Sequence, residues 1–199
     1  MKLACFVIPG QDEQREANSL KYLDSRILKA PPIAVAQVLK EVARMGDLAR
    51  KNYLMSMDML FSGNTEKMEE LEDNEEVLNF LNTNITEYLV KINALELEDN
   101  DRQLVGSLFH VVNDFERVGD HAENIAEQAQ QMQATKTTFS GQALEELHEM
   151  QDKVIHVLDD SCRLFQERKM DFELAFRINS QRTPSIIWHV PARKTIFLV

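Results

Sequence analysis

Between Val105 and Gln128 the chain reads VGSLFHVVNDFERVGDHAENIAEQ, and only a helix sorts these residues by chemistry. At about 100° per residue, Val105, Leu108, Val112, Phe115, Gly119, Ala122 and Ala126 fall on one face, widened by Val111, Val118 and Ile125. That face must be buried. Glu116, Asp120, Glu123 and Glu127 follow one another at steps of four, three and four, so they form a second stripe beside the apolar one. Stacked like charges repel by roughly a few tenths of a kcal/mol per pair. At the edge of a buried seam the cost rises unless a cation lies between them.

The same period recurs on both sides of this stretch. Pro31 and Pro32 stand where a first helix can begin, because proline is tolerated in a first turn. Val35, Val38, Val42, Met45, Ala49, Met55 and Met59 continue its stripe to about Phe61, and Ser62-Gly63-Asn64 supplies a stop. Asp73 with Glu76 three residues on predicts a capping pair for a second helix, striped by Val77, Leu81, Ile85, Tyr88, Ile92 and Leu95. The polar turn LEDND then leads into the carboxylate helix, so helices two and three run antiparallel. Gln130 to Gly141 has no apolar period and reads as a linker. Leu144, Leu147, Gln151, Val154, Leu158, Ser161 and Phe165 make a fourth seam.

Sliding the fourth helix by 105 positions onto the first pairs Leu39 with Leu144, Glu41 with Glu146, Met45 with Met150, Asp47 with Asp152 and Ser56 with Ser161. The expected fold is therefore all-α: an antiparallel three-helix bundle repeat over 31–130, then a partial second repeat over 131–180. Residues 1–30 read as an apolar remnant and linker. From Gln181 onward the chain holds no acid, two prolines and its only tryptophan. This atypical tail, 181–199, reads as foreign to the repeat design, arising by frameshift, truncation or chain boundary. It is expected either to be disordered or to patch the seam of the fourth helix.

A chain of 199 residues, 44% apolar, can fill a core without staples. Cys5 and Cys162 match no metal or redox spacing and read as reduced thiols of a cytoplasmic protein. A net charge of −11 excludes a nucleic-acid partner, which calls for a basic stripe, and suits cations instead. The early run LACFVI is too short to span a bilayer and has no cleavage signal after it.

At ERVGDHAENIAE the sequence resembles the signature of PhoU-family domains, whose repeats each carry a Glu/Asp-x-x-x-Asp motif on a helix. LKYLDSRILKAPPIAVAQ, Met45 and EEVLNFLNTNITEYLVKI are similar to the PhoU-like domain that follows the membrane part of bacterial sodium/phosphate cotransporters. The resemblance covers about Ile8 to Ser180. It implies paired three-helix repeats, a regulatory rather than catalytic role in phosphate transport, and metal held by the carboxylate motifs. Glu116 and Asp120 match the motif, with Glu123, Asn124 and Glu127 on or beside the same stripe as expected ligands for a divalent or ferric ion of the iron, zinc or magnesium class. The partners it implies are a membrane phosphate transporter or its signalling partner, with at most peripheral membrane association at the inner face of the membrane. On this view MKLACFVIPG is the last trace of a membrane segment. The second motif helix is missing from the second repeat, so the opposite wall of a metal site is expected to be absent, or to be supplied by a homo-oligomer, and binding by this chain alone to be weak.

Other signals have plain structural readings. Gly119, Ala122 and Ala126 allow close helix packing, and the methionines of YLMSMDML suit a core. Glu145 and His148 form a Glu-x-x-His pair, the element that di-iron carboxylate bundles use twice. A carboxylate-bundle oxidase is therefore the alternative function, although His110, His121 and His156 lack a Glu three residues before them. His121 points away from the apolar stripe and reads as a surface or capping residue.

Overall fold

Helix ends in this chain are set by residues that cannot continue a helix or that satisfy its loose backbone groups. The structure, a computed structural model, describes residues 19–167. Cys5, the MKLACFVIPG segment and the 181–199 tail lie outside the described residues. A short 3-10 helix, Ser25–Lys29, precedes α1, Pro31–Ser62. Proline opens α1, and Gly63, at φ 70°, closes it by donating its N–H to Met59 O at 2.9 Å. Only glycine takes that left-handed conformation without strain.

Helix α2 runs Met68–Asn93, α3 Asp99–Thr135 and α4 Gly141–Glu167. Two sequence expectations change here. Asp73 and Glu76 do not cap α2, which begins five residues before Asp73 with no side-chain cap at Lys67. MEELED is made of good helix formers, and Met68 and Leu71 gain burial by joining the helix. The expected linker is also shorter, because α3 continues through Gln130–Thr135. Its end is Lys136, at φ 54°, with Thr137 N donating to Met132 O at 3.0 Å. A polar helix tail has no apolar period to betray it. Ser140 then starts α4, its Oγ accepting from Ala143 N at 3.2 Å.

The first three helices run up, down and up, each packed on the other two. Their core is continuous from Val35, Val38 and Val42 of α1 through Leu81, Ile85 and Leu89 of α2 to Val105, Leu108 and Val112 of α3. Each such fully buried side chain contributes about 1.5–3 kcal/mol. All seven residues of the predicted α3 face are buried. Helix α4 lies antiparallel on α1: Leu158 joins Tyr53, Met57 and Ala122, and Arg50 pairs with Asp159. Gly46 makes room at this junction, since a Cβ there would come within 2.8 Å of the Phe115 ring and 3.1 Å of Cys162 Sγ. Cys162 is a free buried thiol, its pKa pushed up to about 11, chiefly by burial.

The stretch before α1 is strapped to the bundle. Glu41, on the core side of α1 and fully buried, accepts from Tyr22 N at 2.8 Å and from Arg44 Nε at 2.6 Å. Arg44 also donates to Ser19 O at 2.8 Å, and Tyr88 Oη of α2 donates to Asp24 O at 3.0 Å. Among the described residues no helix is long and apolar enough to cross a membrane.

Candidate functional site

The carboxylate row sits at the edge of the α2–α3 contact. Glu116 and Glu123 are half-buried, while Asp120 and Glu127 are exposed, as a stripe beside a buried face requires. Asn124 is exposed and turns back on its own helix, donating to Asp120 O at 2.7 Å. The wall opposite the row is supplied by α2. Glu75 is 5% exposed, and its Oε2 lies 2.5 Å from where a Cβ on Gly119 would be. Glycine at 119 is therefore what lets this carboxyl sit against α3, within the electrostatic reach of Asp120, Glu123 and Glu116. An acid of the same three-helix unit thus faces the row.

Glu75 is an unusual group. Neither of its oxygens makes a hydrogen bond of good geometry, and the nearby Asn52 amide acts on it only weakly. Burial pushes its pKa up to about 7, helped by the charges of Asp120, Glu123 and Glu116 and offset slightly by the neighbouring Asn52. The Asn52 amide donates to Leu71 O, at 3.4 Å, and its Oδ1 is likewise unpaired. Burial also raises Glu116, with Asp120 adding to it, and raises Glu123, with Glu127, Asp120 and Glu72 adding. Three carboxyls therefore titrate high around one glycine. Such a cluster can take up protons, or it can hold a cation that neutralises it.

Sequence reasoning missed Glu75 and Glu41, although a signal for both was present. Each falls on an apolar stripe, Glu75 between Leu71 and Leu78 and Glu41 beside Val38 and Val42, where an acid is out of place unless paired or functional. Glu41 is paired; Glu75 is not.

The remaining candidates resolve into structure. Met55, Met57 and Met59 are buried core residues. Glu145 and His148 are exposed, and the His148 ring stacks on Phe61 at 4.0 Å instead of facing a second Glu-x-x-His element. His121 is half-buried. Among the described residues, no three His, Cys, Asp or Glu side chains already converge in a metal-binding arrangement.

Comparison with known proteins agrees with the helical layout. Residues 42–129, which include Glu75 and the whole carboxylate row, match the PhoU domain. A phosphate-specific transport system accessory protein PhoU homolog of Aquifex aeolicus is 30% identical over 91 residues, 45% of this chain and 41% of that protein. The homolog of Clostridium acetobutylicum is 24% identical over 133 residues, 66% of this chain and 59% of that protein. A putative inorganic phosphate export protein, YjbB, of Escherichia coli is 25% identical over 146 residues, 73% of this chain but 27% of that protein. The chain thus spans less than two thirds of each of these relatives. No solved structure matches it. With its up-down-up bundle and its acidic row on the third helix, the matched part of this chain, residues 42–129, is a PhoU-like domain.

Proposed function

We propose that this chain is an accessory domain that regulates phosphate transport by binding, without turnover, at the cytoplasmic face of the membrane. Its partner is a membrane phosphate transporter, sodium-dependent by the sequence resemblance, or the signalling protein that serves it. The names of the relatives, which are transport accessory and phosphate export proteins, support the transport setting.

The observation that carries the reading is Glu75, a buried carboxyl without a hydrogen bond of good geometry, held against a row of acids. A core does not gain stability from such a group. A cation would relieve it, whether a basic side chain of the partner or a metal ion. A metal would draw on Glu75, Glu116, Asp120 and Glu123, whose side chains would have to turn together to reach it, with Asn124 and Glu127 flanking them. An all-oxygen donor set fits a hard cation of the magnesium or ferric class better than zinc. Such an ion would supply a fixed positive charge at the surface of the bundle. The chain's own residues do the rest: Gly119 admits the inner carboxyl and α3 spaces the outer ones.

The test is phosphate flux in cells that lack this chain, complemented with the wild type or with the double variant Glu116→Gln/Asp120→Asn. Restored regulation by the wild type and not by the variant is expected. Equal flux with and without the chain would refute the role, and full complementation by the variant would remove the acidic row from it.

A further inference from the structure

The carboxylate row is not the only polarised surface of this molecule. Residues 19–40 hold four basic side chains, Lys21, Arg26, Lys29 and Lys40, and a single acid, Asp24, in a chain of net charge −11. That acid is already neutralised: Arg26 hydrogen-bonds it through both backbone and side chain, holding its carboxyl down at about 2. Lys21, Lys29 and Lys40 are exposed and, among the described residues, form no ion pair. Of the three exposed large hydrophobic side chains among the described residues, two lie here as well, Tyr22 at 40% and Ile33 at 54%. Val90, the third, is on the outward side of α2 and outside this group.

Tyr22, Ile33 and Lys40 share one surface. Ile33 and Lys40 are seven apart, two turns along the same side of α1. The Lys40 ammonium lies 5.7 Å from the centre of the Tyr22 ring, and the buried Glu41–Tyr22 hydrogen bond fixes that ring's backbone to α1. The strap and α1 therefore display an aromatic ring with an ammonium group beside it and a branched aliphatic side chain two turns away, and Lys21 and Lys29 of the same strap are exposed.

We infer that this strap face, Lys21, Tyr22, Lys29, Ile33 and Lys40, is a docking surface for an anionic lipid bilayer. Aromatic and aliphatic tips that enter the headgroup layer, with lysines reaching its phosphates, are the chemistry of peripheral membrane contact. The complementarity is local and has to be, because the molecule as a whole is acidic. Helical rise places Gly119 and its acids roughly 20 Å further along the bundle than this face. That is about two Debye lengths at physiological salt, so the row does not oppose the contact. Two inserted side chains make no permanent anchor, and the binding is reversible and salt-sensitive. The inference refines the membrane-side placement proposed above, but its test needs no transporter, so either can fail without the other.

The experiment is sedimentation of the full chain with vesicles of phosphatidylglycerol and phosphatidylcholine, or of phosphatidylcholine alone. Binding to the anionic vesicles only, lost at high salt, is expected. Lys21→Glu/Lys40→Glu should weaken it about tenfold or more, and Tyr22→Ser/Ile33→Ser should weaken it with the charge intact. Lys136→Glu/Lys153→Glu, the same change in net charge at other exposed positions, should leave it within about twofold. Circular dichroism of each variant confirms an intact bundle. No binding to anionic vesicles, equal binding to both kinds, or equal loss in the strap and control variants would each overturn the proposal.

Discussion

At the scale of single residues, Glu75 ties stability to pH. Its folded pKa of about 7 stands above the ordinary 4.5, so between those values the folded protein keeps a proton that the unfolded chain has released. The contribution of this group is full below about pH 4.5 and falls as the pH rises through 7, by on the order of 3 kcal/mol. Glu75→Gln removes the charge, keeps the shape and brings an amide donor to the unpaired Oδ1 of Asn52. Urea midpoints should rise in the variant at about pH 8 and differ little at about pH 5; a variant less stable at the higher pH would contradict this account. Gly46 makes a different demand. Its missing Cβ would come within 2.8 Å of the Phe115 ring and 3.1 Å of Cys162 Sγ, both of them buried, so Gly46→Ala should cost about 1–3 kcal/mol despite better helix propensity. Thermal unfolding measures it, and an unchanged or higher midpoint would mean that the ring moves freely.

At the scale of elements, the strap before α1 depends on one buried carboxylate. Glu41 holds Tyr22 N and Arg44, and Arg44 holds Ser19 O. Glu41→Ala leaves the guanidinium and a backbone N–H without their acceptor, which costs about 3 kcal/mol. Hydrogen exchange should quicken most around Tyr22, with the centre of α2 keeping its protection; uniform quickening would show that Glu41 supports the bundle as a whole. The helices themselves were legible because a 3.6-residue period leaves a stripe wherever one face is buried, as Val105 to Ala126 does. Their ends were harder to read. Asp73-x-x-Glu76 has the form of a cap but lies in a run that folds as helix, and Gln130–Thr135 is helical with only Met132 and Ala134 among polar residues, too few to mark a face. The row at Glu116 to Glu127 could be seen because its members sit on one helix. Glu75 could not be paired with it, since that contact depends on how α2 packs at Gly119 and not on any local pattern.

At the scale of the whole molecule, the four helices do not share the core equally. Helix α3 buries eight positions, whereas the described part of α4 buries two side chains, Leu158 and Cys162, and rests otherwise on half-buried contacts such as Val154 and Ile155. Its remaining ties to α1 are the exposed Arg50–Asp159 pair and the stacking of His148 on Phe61, and an exposed pair contributes only about 0–1 kcal/mol. The free energy that opens α4 alone should therefore lie well below that of global unfolding. Native-state hydrogen exchange resolves the two: amides of α4 should exchange through a sub-global opening while those at the centres of α1, α2 and α3 wait for the whole bundle. Leu158→Ala removes a side chain seated among Tyr53, Met57 and Ala122 and costs about 2–5 kcal/mol if the site cannot collapse. If α4 is a separable unit, that loss should appear in the exchange of α4 and leave the three-helix core nearly unchanged. An equal loss of protection in all four helices would instead make α4 part of one cooperative bundle, and the carboxylate row would then share its stability.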